Sequence, residues 1–104
     1  MGKSRGAGNN AARVIALPAD FRLGSVAEVK AELIDAFDAP ASQLDAAGVE
    51  RVDTAALQLL VAFRREATAR GQAPGWLGVS EVMRDAAGVL GLAQALELPA
   101  PMPA

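Results

Sequence analysis

The sequence predicts an α/β domain: a small mixed or parallel β-sheet of about four to five strands with helices packed on it. Three observations predict it. Short apolar or β-branched runs alternate with longer stretches of three-to-four-residue apolar spacing. Gly, Pro and Ser fall between those stretches, where turns and helix caps belong. Of the 104 residues, 52% are hydrophobic and 4% aromatic, so the core is built chiefly from Ala, Leu and Val, which suits close helix packing.

Residues 1–12 show no apolar period and contain three Gly and two Asn, and they are read as a disordered leader. The pair Lys3 and Arg5 reads as part of that solvated terminus rather than as a phosphate hook. Val14-Ile15-Ala16-Leu17 is a short apolar run halted by Pro18, which fits a strand. Phe21 and Leu23 follow at period two and suggest a second short strand. Ser25 then has the position of an N-cap, with Glu28 completing a capping box. From there Val26, Val29, Leu33 and Phe37 mark one face of an amphipathic helix, with Ile34 beside them, that Pro40 ends.

Ser42-Gln43-Leu44-Asp45 reads as a strand with Gln43 facing outward, and Gly48 marks a turn. Val49 and Val52 lead into Asp53-Thr54, where Asp53 or Thr54 can accept hydrogen bonds from the first turn of a helix. Along that helix Leu57, Leu60, Val61 and Arg64 share one stripe, and Ala56, Leu59, Phe63 and Ala67 share the next. It is apolar over more than half its girth, so it is expected to be mostly buried. Arg64, Arg65 and Arg70 fall near its carboxyl end, where cations solvate the helix and meet the negative end of its dipole. Gly71 supplies the stop. Gly75 to Val79 reads as a last strand, Ser80 as the N-cap of a helix from Glu81 to Leu90, and Leu92, Leu96 and Leu98 as a closing apolar turn or short helix. The domain is thus expected over 13–98, with residues 99–104 as a flexible tail.

Composition narrows the function. The chain has no Cys and no His, which removes disulfides, thiolate nucleophiles, Cys/His metal sites and imidazole-based triads. Lys3, Arg5 and Arg13 are three of the ten basic residues, leaving seven basic against twelve acidic groups over residues 14–104. Nucleic acid is a poor partner for so acidic a body. No apolar run reaches the roughly 20 residues that span a bilayer, and no apolar signal segment opens the chain, so a cytoplasmic location without membrane insertion is expected. The paired carboxylates Asp45 and Asp53 could serve acid-base work, but no nucleophile, metal cage or Gly-rich phosphate loop accompanies them. No catalytic residue, metal site or cofactor is therefore assigned.

Two segments carry a family resemblance. Leu44-Asp45-Ala46-Ala47-Gly48-Val49-Glu50-Arg51-Val52-Asp53-Thr54-Ala55-Ala56-Leu57 resembles the STAS-domain pattern of a strand ending in Asp, a Gly-Val turn, and Asp with Ser or Thr opening a helix. Leu77-Gly78-Val79-Ser80-Glu81-Val82 with Gly88-Val89-Leu90-Gly91-Leu92 is similar to the family's last strand, final helix and closing turn. The likeness spans roughly residues 13–98. It implies a non-catalytic regulatory module, as in bacterial anti-sigma factor antagonists, whose hydroxyl at the position of Thr54 is phosphorylated by a kinase-type anti-sigma factor. A phosphate there adds about two negative charges beside Asp45 and Asp53 and would release an acidic or closely packed partner. The resemblance places the phosphorylation and partner-binding site at Thr54, Asp53, Asp45, Ala55 and Ala56, with Asp53 as cap or orienting group.

Ala56 stands where antagonists commonly have Gly, and Thr54 where Ser is more usual. In this the sequence is similar to STAS subunits that work without a sigma factor: the small subunit of a phospholipid-transporting ABC complex, which meets an ATPase subunit, and STAS proteins of chemotaxis clusters. Gly75 falls where the family has a strand residue, so the last strand is expected to be short or bulged. A nucleotide-binding domain is the alternative of another class, and a dimerising role with Trp76 and Phe21 as exposed anchors is a third.

Overall fold

In the computed structural model, which describes residues 13–99, each short apolar run becomes a parallel strand. β1 (Arg13–Ala16), β3 (Ser42–Ala46) and β5 (Gly75–Val79) form a three-stranded sheet in the order β1-β3-β5. β2 (Asp20–Phe21) and β4 (Arg51–Val52) form a separate two-stranded parallel sheet. The leader expected over residues 1–12 and the tail beyond Pro99 lie outside the described residues.

Five strands in two sheets, rather than one, has a local cause. Leu17 N donates to Asp45 O at 2.9 Å as the last bond of the β1 ladder. Pro18 has no N–H to continue it, and the chain turns away. It is caught again at Ala19, whose carbonyl accepts from Glu50 N at 2.8 Å and Arg51 N at 2.9 Å. The second strand accordingly comprises Asp20 and Phe21, while Leu23 opens a 3-10 turn over Leu23–Ser25 and is exposed. β4 is a strand that Val49 and Val52 only hinted at.

The register of β5 shows why a glycine sits in it. Leu44 pairs with Trp76 but Asp45 pairs with Gly78, so Leu77 is an extra, bulged residue with an exposed side chain. A Cβ on Gly78 would stand 3.0 Å from the Ala47 Cβ, so the close approach of the two chains excludes anything bulky there. The last strand is therefore bulged, at Leu77 rather than at Gly75.

Four helices cover this framework: α1 (Val26–Ala36), α2 (Thr54–Ala69), α3 (Glu81–Val89) and α4 (Ala93–Leu96). Val29, Leu33 and Ala36 form the buried stripe of α1, whereas Ile34 beside them remains largely exposed. Ser25 stands at the N-cap position of α1 without capping it. Its Oγ donates to Asp20 O or Arg22 O, 3.1 and 3.0 Å away, and accepts from Arg22 N, so the expected box with Glu28 does not form. Ser80 does cap, its Oγ accepting from Met83 N at 3.2 Å.

α2 is the central helix, burying Ala56, Leu57, Leu60, Val61, Phe63, Arg64 and Ala67. It packs on α1 through Phe63 and Phe37, whose stacked rings lie 5.2 Å apart. Gly71 ends it with φ +77, a left-handed conformation that glycine adopts without steric cost, and Gln72 N closes the turn on Ala67 O at 2.8 Å. Phe21, considered above as an exposed anchor, is fully buried in the core. Trp76 is half-buried and donates from Nε1 to Leu96 O at 3.0 Å, tying β5 to α4.

Arg64 departs most from expectation. Instead of solvating the helix end, its side chain is 7% exposed; Nη1 donates to Pro74 O at 3.0 Å, and the guanidinium lies 5.8 Å from the Trp76 ring centre. Its place on the apolar stripe with Leu57, Leu60 and Val61 was the available signal. Arg65 and Arg70 are exposed, and Arg70 pairs with Glu66.

Candidate functional site

The junction of β4 and α2 places Thr54, singled out in the sequence, at the start of the helix. Asp53 takes the extended conformation of an N-cap, φ −124 and ψ 177, and its Oδ1 accepts from Ala56 N at 2.9 Å. Its Oδ2 accepts from Leu23 N at 2.8 Å, thirty residues earlier in the chain. One carboxylate thus satisfies an orphan N–H of α2 and locks the 3-10 turn against the same point. These backbone donors, Ala56 first and Leu23 second, hold the Asp53 carboxyl below the usual aspartate range, so it is ionised near neutrality. Of the two residues offered as caps, Asp53 performs the role.

Thr54 is the first residue of α2 and is exposed. It borders a hollow of about 400 Å³ lined by Val52, Asp53, Thr54, Asp85, Ala86, Val89 and Leu90. Val89 is 86% exposed and Leu90 43% exposed, so the wall facing the threonine is apolar and open to water. Asp53 and Asp85 give the hollow two carboxylates and no lining cation. Thr54 is therefore open to solvent, with exposed apolar side chains beside it.

Asp53 also borders a second hollow, about 510 Å³, with Asp20, Arg22, Leu23, Gly24 and Ser25. There Arg22 binds Asp20 through both carboxylate oxygens, Nη2 to Oδ2 at 3.0 Å. That contact holds the Asp20 carboxyl below, and the Arg22 guanidinium above, their usual ranges. The local cation is thus engaged with its own neighbour.

The five site residues separate in space and role. Asp53 and Thr54 share the hollow against α3, and Ala55 is half-buried beside them. Ala56 is fully buried and contributes its N–H to the cap, presenting no side-chain surface. Asp45, next to last in β3, lines neither hollow and accepts from Ala47 N at 3.1 Å to shape the following turn. The hollow beside Thr54 also includes residues that the sequence did not single out as a site, namely Asp85, Val89 and Leu90. Val82 and Val89, seven residues apart, lie off the buried Met83–Ala87 stripe, and that spacing was the signal for an apolar outer face.

Among the described residues no group of three or more His, Cys, Asp or Glu side chains is placed to hold a metal, and no helix is long and apolar enough to cross a membrane. No curated protein matches the sequence significantly. A solved structure of a sulfate transporter family protein from Wolinella succinogenes is similar in fold, with a TM-score of 0.69 over 82% of this chain and 70% of that one at 22% identity. A family model described as "Mlab, STAS domain" matches residues 5–99. A match over nearly the whole sequence, on a fold shared with that structure, establishes that this chain belongs to the STAS domain family.

Proposed function

We propose that the protein is a non-catalytic regulatory module of the cytoplasm that docks a protein partner through the surface around Thr54, with phosphorylation of Thr54 as the release switch. The observation that carries this reading is the exposed Thr54 at the start of α2, a helix start that Asp53 caps, bordering the open apolar wall of Val89 and Leu90. Phosphate at Thr54 would set a dianion beside Asp53 and Asp85 and against apolar surface, so a closely packed partner would lose contact and bear a desolvation cost. The anti-sigma factor antagonist is the model for such a switch, its partner a kinase that recognises and modifies the hydroxyl.

A second reading is favoured by two features: the description of the matching family model, and the pairing of Thr54 with a buried Ala56. Here the module is the accessory STAS subunit of a phospholipid ABC transporter and contacts its ATPase subunit, or it belongs to a chemotaxis complex. Affinity capture from source cells, repeated with Thr54→Glu, tests both. A kinase-type partner lost on substitution supports the first reading; an ATPase subunit or chemotaxis component supports the second. Unchanged binding of every partner by Thr54→Glu rejects Thr54 as the switch.

A further inference from the structure

The other end of α2 holds a third hollow, about 260 Å³, lined by Arg64, Arg65, Thr68, Ala95 and Glu97. Its inner wall is the buried Arg64 guanidinium. Nη1 is held by Pro74 O, the buried Nε has no hydrogen-bond partner among the described residues, and Nη2 meets Glu97 Oε1 at a long 3.5 Å. Glu97 is the one non-glycine residue among those described with a positive φ, 55°, and its side chain is 69% exposed. That backbone closes α4 as its C-cap, with Leu98 N donating to Ala93 O at 3.2 Å, so it does not depend on Arg64, and an exposed carboxylate 3.5 Å from the guanidinium contributes little. The carboxylate therefore occupies, loosely, a position suited to an oxyanion.

The surroundings favour the same chemistry. Guanidinium groups bind carboxylate and phosphate oxygens in pairs, and the Thr68 hydroxyl, one turn beyond Arg64, offers a further donor. The last carbonyls of α2, at Glu66, Ala67 and Thr68, accept from Arg70, Gly71 and Gln72 N–H groups, so these oxygens are already paired. Two cations stand against one displaceable carboxylate. We infer that this hollow is a binding site for a small phosphate- or carboxylate-bearing anion, which displaces Glu97 from Arg64.

The test is an amide NMR titration of the full chain with inorganic phosphate, with acetate, and with chloride at matched ionic strength. Saturable shifts at Arg65, Thr68 and Glu97 with phosphate or acetate support the site, and the more effective of the two gives the ligand class. Glu97→Gln should lower the half-saturating concentration about fivefold and Arg65→Gln raise it about fivefold, each roughly 1 kcal/mol of binding free energy. Both replaced side chains project from the surface of a fold that other residues hold, and unchanged amide spectra elsewhere verify this. Equal shifts with chloride, no saturation up to about 50 mM of either oxyanion, a range covering millimolar affinities, or indifference to Arg65→Gln would overturn the inference.

Discussion

Arg64→Met removes a buried guanidinium while keeping a long apolar stem on the inner face of α2. The hydrogen bond lost, Nη1 to Pro74 O at 3.0 Å, has a charged donor, and such bonds contribute about 1.5–3 kcal/mol. Pro74 is itself buried, so its carbonyl is left without water or partner, a cost already contained in that range. The Trp76 contact at 5.8 Å adds about 0.5–1 kcal/mol, and the methionine stem recovers part of the packing. The net expectation is a destabilisation of about 2–3 kcal/mol, which for a domain of this size lowers Tm by roughly 10–20 °C. Urea unfolding followed by Trp76 fluorescence, with the slope held constant between variants, measures it. Glu97→Gln is the internal control: Glu97 is largely exposed and its contact is long, so the change should stay below about 1 kcal/mol. A loss under about 1 kcal/mol for Arg64→Met would refute the assignment of Arg64 to the core.

Three other outcomes follow from the structure. Asp53 has a folded-state pKa below its unfolded value, so its contribution to stability is full above the ordinary aspartate value of about 3.9 and disappears as pH falls through the folded value. Acid titration should therefore show wild type more stable than Asp53→Asn at neutral pH, with the two converging as the pH falls through the lowered folded-state value. Ser80→Ala deletes the bond to Met83 N and should cost about 1 kcal/mol, with faster amide exchange at the start of α3. Val89→Asp alters an almost wholly exposed side chain; stability should move by no more than about 0.5 kcal/mol while partner capture falls sharply.

The alternating pattern of short runs and amphipathic stretches made the α/β class legible, because burial of one face imposes its period on the residues. Asp53-Thr54 was legible for the same reason: a cap must precede an apolar helix, and polar side chains that satisfy orphan N–H groups are few. What the pattern did not give were consequences of contacts distant in sequence. The division into two sheets depends on Ala19 O meeting Glu50 and Arg51 N–H, and the release of Ser25 from capping depends on competing acceptors at Asp20 and Arg22. Arg64 was misjudged because charge was weighed ahead of position, although three stripe neighbours already pointed inward. The α3 wall of the hollow was missed because exposed valines in a short helix look like core until its packing partner is known.

The three strands of the main sheet run the same way, so the polypeptide enters that sheet at Arg13 on one rim and leaves each of its strands, at Ala16, Ala46 and Val79, on the other. This gives the domain a back and a front. The turns that carry Ala19, Glu50 and Asp53 gather past the forward rim, whereas β1 begins with Arg13 on the rear one. A label carried at Arg13 itself would accordingly stand on the rim opposite Thr54.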